Sequence, residues 1–179
     1  LARLQLRLGD SDAAPERQTL AALGQQVPSL LDDPLLLRDW SLYQDPREAA
    51  PRLLQSSARL RQGGAAGLAN SLEVVAVSRL MLFDDAAAAT LARRLRRTLP
   101  QGLHAVSYPP QAWWTLAQAL RATGSAQARR DALRCRVNAR RWIESAQLPD
   151  GGPEARRCFR HDNPINRAVL AVDGGLTGQ

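Results

Sequence analysis

The chain has 179 residues, 45% of them hydrophobic, which suffices for one domain with a sizeable core and excludes wholesale disorder. It carries no lysine: all 24 basic residues are arginine, set against 17 acids, for a net charge of +7. Without lysine there is no Walker-type phosphate loop, no Schiff-base catalysis and no pyridoxal chemistry.

At the head of the chain Leu1, Leu4 and Leu8 share one helical face. With no initiator Met, Leu1 reads as the cut edge of a longer protein, and no signal peptide is visible. A turn is expected at Gly9-Asp10-Ser11-Asp12, then a helix opened by Pro15 with Leu20 and Leu23 inside, interrupted over residues 24–28. Asp33-Pro34 pairs an N-cap with a proline at the first helical position and predicts a short helix bearing Leu36, Leu37 and Trp40. Asp45-Pro46-Arg47-Glu48 repeats that signal, with Glu48 placed to close a capping box. Pro51 sits too deep for an undisturbed first turn, so this helix is expected to restart or kink there; Leu53, Leu54 and Leu60 form its apolar face and Gly63-Gly64 ends it. Residues 66–82 are apolar on nearly all sides. Their length without turn residues, and the lack of a second strand to pair with, predict a central buried helix. Asp84-Asp85 caps the next helix, whose stripe Ala88, Leu91, Ala92, Leu95 and Leu99 stops at Pro100. Gln101 to Ser107 reads as an insertion.

A helix, a glycine-centred turn and a second helix follow. Pro109 and Pro110 suit a first turn, Gly124 a helix stop, and Ser125 an N-cap. Ala128, Ala132, Cys135, Ala139, Trp142, Ile143 and Ala146 share one face of the second helix, and Arg129, Arg130, Arg134, Arg140 and Arg141 lie off it. Trp113, Leu116, Ala117, Leu120 and Gly124 have the spacing of the first helix and turn of a tetratricopeptide repeat, and the unit resembles one; position 129, where a small residue is expected, is Arg. Residues 69–102 fit the same 34-residue frame through Leu72, Val75, Ala76, Ala88, Ala92, Leu95 and Pro100, while Arg79 and Phe83 depart from it. A plain helical bundle is the alternative.

After a turn at Pro149-Asp150-Gly151-Gly152, a short helix over residues 153–159 and a last one opened by Asn163-Pro164 are expected. Trp142-Ile143, Pro149, Arg156-Arg157-Cys158-Phe159 and Asn163-Pro164-Ile165-Asn166-Arg167 together resemble the end of helical repeat regions in large multidomain bacterial regulators. Those proteins join an ATPase or kinase-like region, or a helix-turn-helix output domain, to C-terminal tetratricopeptide-like repeats. The resemblance is strongest over residues 110–172, and Arg160 stands where the pattern has a bulky aliphatic residue. It implies an all-α fold of antiparallel helical hairpins stacked as a short tetratricopeptide-like α-solenoid. A single repeat domain would fill residues 1–172, with a flexible glycine-rich tail at 173–179. It further implies a non-enzymatic regulatory module of a signalling or transcription regulator. Such a module binds a protein or peptide partner, or restrains an effector domain in the same full-length chain, and needs no cofactor. Phe159 and Ile165 would then plug the open end of the stack, since a terminal unit has no next neighbour.

Few constellations suggest chemistry. Cys135, Cys158, His104 and His161 are the only soft metal ligands, and no pair has zinc-site spacing apart from Cys158 and His161, whose shared face Asn163-Pro164 disturbs; no metal is expected. Two cysteines do not suggest a disulfide scaffold, so a reducing cytoplasm is the default, and the apolar runs are too short to span a bilayer. Asp32-Asp33 and Asp84-Asp85 sit at helix starts, where capping explains them without catalysis. Charge is uneven: nine arginines meet eleven acids in residues 1–90, fifteen meet six in residues 91–179. The densest run is Arg93, Arg94, Arg96 and Arg97. It reads either as a solvated face or as a site for an acidic peptide or nucleic acid, and no aromatics interleave it. Arg93, Arg94, Arg97, Tyr108, Trp113 and Trp114 are the candidate partner-binding residues. Of the two tryptophans, 100° apart on a helix, one belongs to the core and the other to a groove between repeats. The alternative function is a basic module that contacts nucleic acid through the arginine-rich C-terminal half.

Overall fold

In the computed structural model, which describes residues 28–146 and 152–171 together with positions 19, 22 and 26, the regular structure is helical, and no strand occurs among the described residues. A 3₁₀ turn at Pro28–Asp32 leads into α1 (Pro34–Ser41), α2 (Pro46–Gln62), α3 (Ala66–Leu80) and α4 (Asp85–Thr98). A 3₁₀ segment at Leu99–Ala105 then connects to α5 (Pro109–Ala122), α6 (Ala126–Ser145), α7 (Pro153–His161) and α8 (Pro164–Leu170). Thr19, Ala22 and Gln26 are helical; apart from them the helices expected before residue 28, like the turn at Pro149-Asp150-Gly151 and the tail at 173–179, lie outside the described residues.

The start and stop signals act through identifiable bonds. The Asp33 carboxylate accepts from the amides of Leu35 and Leu36, Asp45 from Arg47, Asp84 from Ala87, the Ser125 hydroxyl from Ala128, and Asn163 from Ile165 and Asn166. Glu48 makes no reciprocal bond among the described residues, so the capping box stays open. After α2, Gly64 takes φ +80°, and the amides of Gly64 and Ala65 reach the carbonyls of Arg61 and Leu60 at 3.2 and 2.8 Å. That double bond returns the chain within three residues and requires the left-handed conformation. Gly124 makes the same reversal after α5 at φ +67°.

Two sequence expectations are made more definite. Pro51 does not restart its helix: α2 runs on past it, with Pro51 on the exposed side, where the lost hydrogen bond to Arg47 is easily solvated. The insertion expected over residues 101–107 is largely a 3₁₀ segment, Leu99–Ala105, docked on α3. Gly67 on α3 faces Gly102 so closely that a Cβ built at residue 102 would lie 2.8 Å from the Cα of Gly67. Only a side-chain-free pair lets these two backbones meet.

α3 is central, as its all-round apolarity predicts. It touches α1, α2, α4, α5 and the 3₁₀ segment, and buries Leu72, Val74, Ala76, Val77 and Leu80. α2 and α3 run antiparallel: Arg61 reaches Asn70, Ser57 reaches Glu73, and at the opposite end Arg79 donates to the carbonyl of Gln44. α5 and α6 form the second tight pair, with α8 folded back on both. Their contact buries Ala112, Leu116, Ala119 and Leu120 against Ala128, Ala132, Cys135, Ala139 and Ile143. α4 joins the two pairs by packing on both α3 and α5. The odd-numbered helices also neighbour one another, α1 touching α3 and α3 touching α5.

Candidate partner-binding groove

Contact between successive odd-numbered helices opens a groove on their common side, with a cavity of about 520 Å³. α1 contributes Arg38, Asp39 and Leu42. α3 contributes Ser71, Val74, Val75 and Ser78, a strip at i, i+3, i+4 and i+7 that alternates hydroxyls with branched aliphatics. α5 contributes Gln111, Ala112 and Thr115. Val106, Ser107 and Tyr108 close one wall, and Asn163 and Ile165 at the start of α8 close the end.

The polar groups at its edge are largely held in place. Arg38, 7% exposed, donates from Nη1 to the Ser107 hydroxyl at 2.6 Å and pairs with Asp39 at 3.3 Å. Ser78 is turned back onto the Val75 carbonyl at 2.7 Å. The Tyr108 hydroxyl donates to the Oδ1 of Asn166, which is fully buried and donates in turn to the Phe159 carbonyl at 2.7 Å. The Tyr108 ring meets Trp142 edge-on at 5.7 Å. Tyr108 therefore ties the start of α5 to α6, α7 and α8 and forms groove wall at the same time. The groove has an aliphatic floor, a nearly neutral rim and fixed walls, which suits it to hold side chains and backbone of another segment.

The six candidate residues scatter. Trp113 is core at 3% exposure, whereas Trp114 is half-buried against the core and is not part of the groove lining. Tyr108 is in the wall. Arg93, Arg94 and Arg97 are exposed on α4, away from the groove, and they divide by role. Arg94 donates to Glu73 at 2.9 Å, while Arg93 and Arg97 have no ion pair among the described residues. Arg96, between them, turns to Asp131 of α6 at 3.2 Å.

Two buried carboxylates thus take up part of the arginine run. Glu73, 2% exposed, receives Arg61 from α2 and Arg94 from α4, both at 2.9 Å, and the Ser57 hydroxyl at 3.2 Å. Asn70, one turn earlier, accepts from Arg61 and donates to the Thr98 carbonyl at 3.2 Å. Asp131, 3% exposed, takes Arg96 from across the helix interface, Arg134 at 3.7 Å and the Gln127 amide at 3.1 Å. A carboxylate in the middle of an otherwise apolar run was the available sign for Glu73, and periodicity alone passes over it. The groove strip on α3 was hidden for a related reason, because a helix apolar all round shows no preferred face.

Among the described residues no cluster of three or more His, Cys, Asp or Glu is placed to hold a metal, and no helix is long and apolar enough to cross a membrane. Cys135 is fully buried, and burial pushes its thiol up to about 12, with Arg96 opposing and Asp131 adding to the rise. The Cys158 thiol, which donates to Glu154 at 3.9 Å, is also raised, first by the nearby Asp162 carboxylate. Neither is poised as a nucleophile. The fold and groove define an all-α helical domain. Compared with known proteins, the chain matches no family model, no curated protein and no solved structure.

Proposed function

We propose that the chain is a tetratricopeptide-like helical repeat module, a short α-solenoid, that binds a protein or peptide segment in the groove of its odd-numbered helices and so serves a regulatory protein. The observation that carries this reading is the groove itself: three successive odd helices and the cap helix α8 line one continuous aliphatic floor with a hydrogen-bonding rim. Support comes also from helix pairs α3/α4 and α5/α6, which overlap the two stretches with repeat-like spacing, and from α8, which packs on both helices of the second pair, as a covered terminal unit would need. The partner is an extended or helical segment with aliphatic anchors and little net charge, since Arg38 and Asp39 already neutralise each other. The same surface would also serve a domain of the same full-length polypeptide.

The test is selection of peptides from a displayed library on the immobilised domain, followed by rebinding to Ser78→Trp and Gln111→Trp. These substitutions fill the groove from half-exposed positions and spare the core. Loss of at least about tenfold in affinity, with unchanged circular dichroism, is the expected result. Peptides that bind both variants as well as the parent domain would place recognition elsewhere. The second reading, contact with nucleic acid, draws on the exposed Arg93 and Arg97 of α4 and the arginines of α6.

A further inference from the structure

α6 is twenty residues long and buries one face only. At 100° per residue, Leu133 and Val137, one turn apart, fall on its opposite face. They are 46% and 38% exposed. Arg130, Arg134 and Arg141 run along one flank of that pair, and Arg129 and Arg136 along the other. The acids of the helix answer only part of this charge: Asp131, turned inward, takes Arg96 at 3.2 Å and Arg134 at 3.7 Å, and Glu144 at the far end is held by Arg140 at 2.7 Å, while Arg129, Arg130 and Arg141 have no ion pair among the described residues. Burial, and after it the charge of Arg121 on α5, lowers the pKa of Arg136, which has no ion pair among the described residues. Across the other flank, the Arg96–Asp131–Arg134 contact brings α4 alongside, with Arg93 and Arg97 exposed on it.

We infer that this outward face of α6 is a docking surface for an acidic protein segment that carries aliphatic side chains between its carboxylates. Guanidinium forks bind carboxylates bidentately, and two flanks of them bracket an acidic strip on either side of an apolar contact. The aliphatic pair decides among anionic partners. A phosphate backbone gains nothing from Leu133 and Val137, which sit where it would cross the face. A lipid surface calls for an apolar stripe of roughly 100° along the helix, and here the stripe is two residues long. An amphipathic acidic segment uses both features at once. This surface lies on α6 and α4, outside the groove lining, so it stands or falls independently of the groove.

The experiment uses a fluorescent synthetic helix with leucines at i, i+4 spacing flanked by glutamates. Its Gln-for-Glu analogue, random-sequence duplex DNA and phosphatidylserine vesicles are the comparison probes. The acidic peptide is expected to bind, to weaken with salt, and to lose about tenfold or more in affinity both in Leu133→Ser/Val137→Ser and in Arg130→Ala/Arg141→Ala. All four positions are exposed, so these variants should melt as the parent does, and circular dichroism checks it. Binding of the Gln analogue as tightly as the Glu peptide, or full binding by the Ser double variant, would overturn the inference. So would tighter binding to DNA or to vesicles than to the acidic peptide, or no binding of the peptide at all.

Discussion

The two tight helix pairs of this domain differ in what their contacts add to apolar burial. Between α5 and α6 the contact is almost wholly apolar, with alanines at 112, 119, 128, 132 and 139 letting the helices close in around Leu116, Leu120 and Ile143. Between α2 and α3 the register is set by a polar clasp, Glu73 and Asn70 holding Arg61 and Ser57, which α4 completes through Arg94 and Thr98. Small-residue packing fixes distance but tolerates sliding, because many neighbouring registers bury similar area. A buried carboxylate with partners on two other helices has one satisfying position, and it specifies register at some cost in desolvation. The clasp thus sits at the centre of the fold, where α3 has neighbours on every side and its apolar pattern cannot choose among them.

The apolar pair should be broken most severely by a cavity. Leu116 is fully buried between α5 and its neighbours, so Leu116→Ala is expected to cost about 2–5 kcal/mol in urea unfolding, from lost transfer energy and an unfilled void. The polar pair should respond to charge more than to volume. Glu73→Gln keeps the shape but leaves Arg61 and Arg94 without a counter-charge. Their side chains are 37% and 58% exposed and can turn to water, which places the loss at about 1–3 kcal/mol, short of a fully buried broken pair. Glu73→Met removes the carboxylate but fills the space, and it should recover part of that loss. If Gln and Met variants unfold at the same denaturant concentration as the parent, the clasp contributes nothing and the comparison collapses.

How much of this was legible in the sequence follows from the same contrast. The caps at Asp33, Asp45, Asp84, Ser125 and Asn163 announce themselves, because each acts within three residues of its own position. The buried stripe of α6, including Cys135, was legible through its period, and the central place of α3 through its lack of one. What resisted reading is long-range. Nothing local shows that Gly102 must meet Gly67, that Tyr108 bonds Asn166, or that Arg94 and Arg96, two residues apart, serve different buried acids. The sequence puts one tryptophan in a groove between repeats, whereas Trp114 lies outside the groove lining, and the lining residues on α3 were not legible, since Ser71, Val74, Val75 and Ser78 lie within an unbroken apolar run. The aromatic and charged side chains that draw the eye as binding anchors are in part structural, Trp113 in the core and Arg94 on Glu73.

The smallest effect distinguishes the pairs by titration. Cys135 lies inside the apolar pair with its thiol pushed from an ordinary 9.0 up to about 12, chiefly by burial. In the unfolded chain the same thiol loses its proton near 9.0. Between those values the folded state holds the proton and the unfolded state does not, so the unfolded state binds fewer protons and stability falls as pH rises. The contribution is fully present below 9.0 and is lost progressively toward about 12. Cys135→Ala removes it, at the expense of a small void, and should flatten the alkaline decline of the urea midpoint relative to the parent domain. The parallel comparison with Glu73→Gln should leave that decline unchanged, because the substitution leaves Cys135 and its burial untouched. An alkaline decline equal in parent and Cys135→Ala would mean that the thiol is not the group being titrated. A thiol reagent offers a second view: it should label half-exposed Cys158 in the folded domain and Cys135 only as the α5–α6 pair opens.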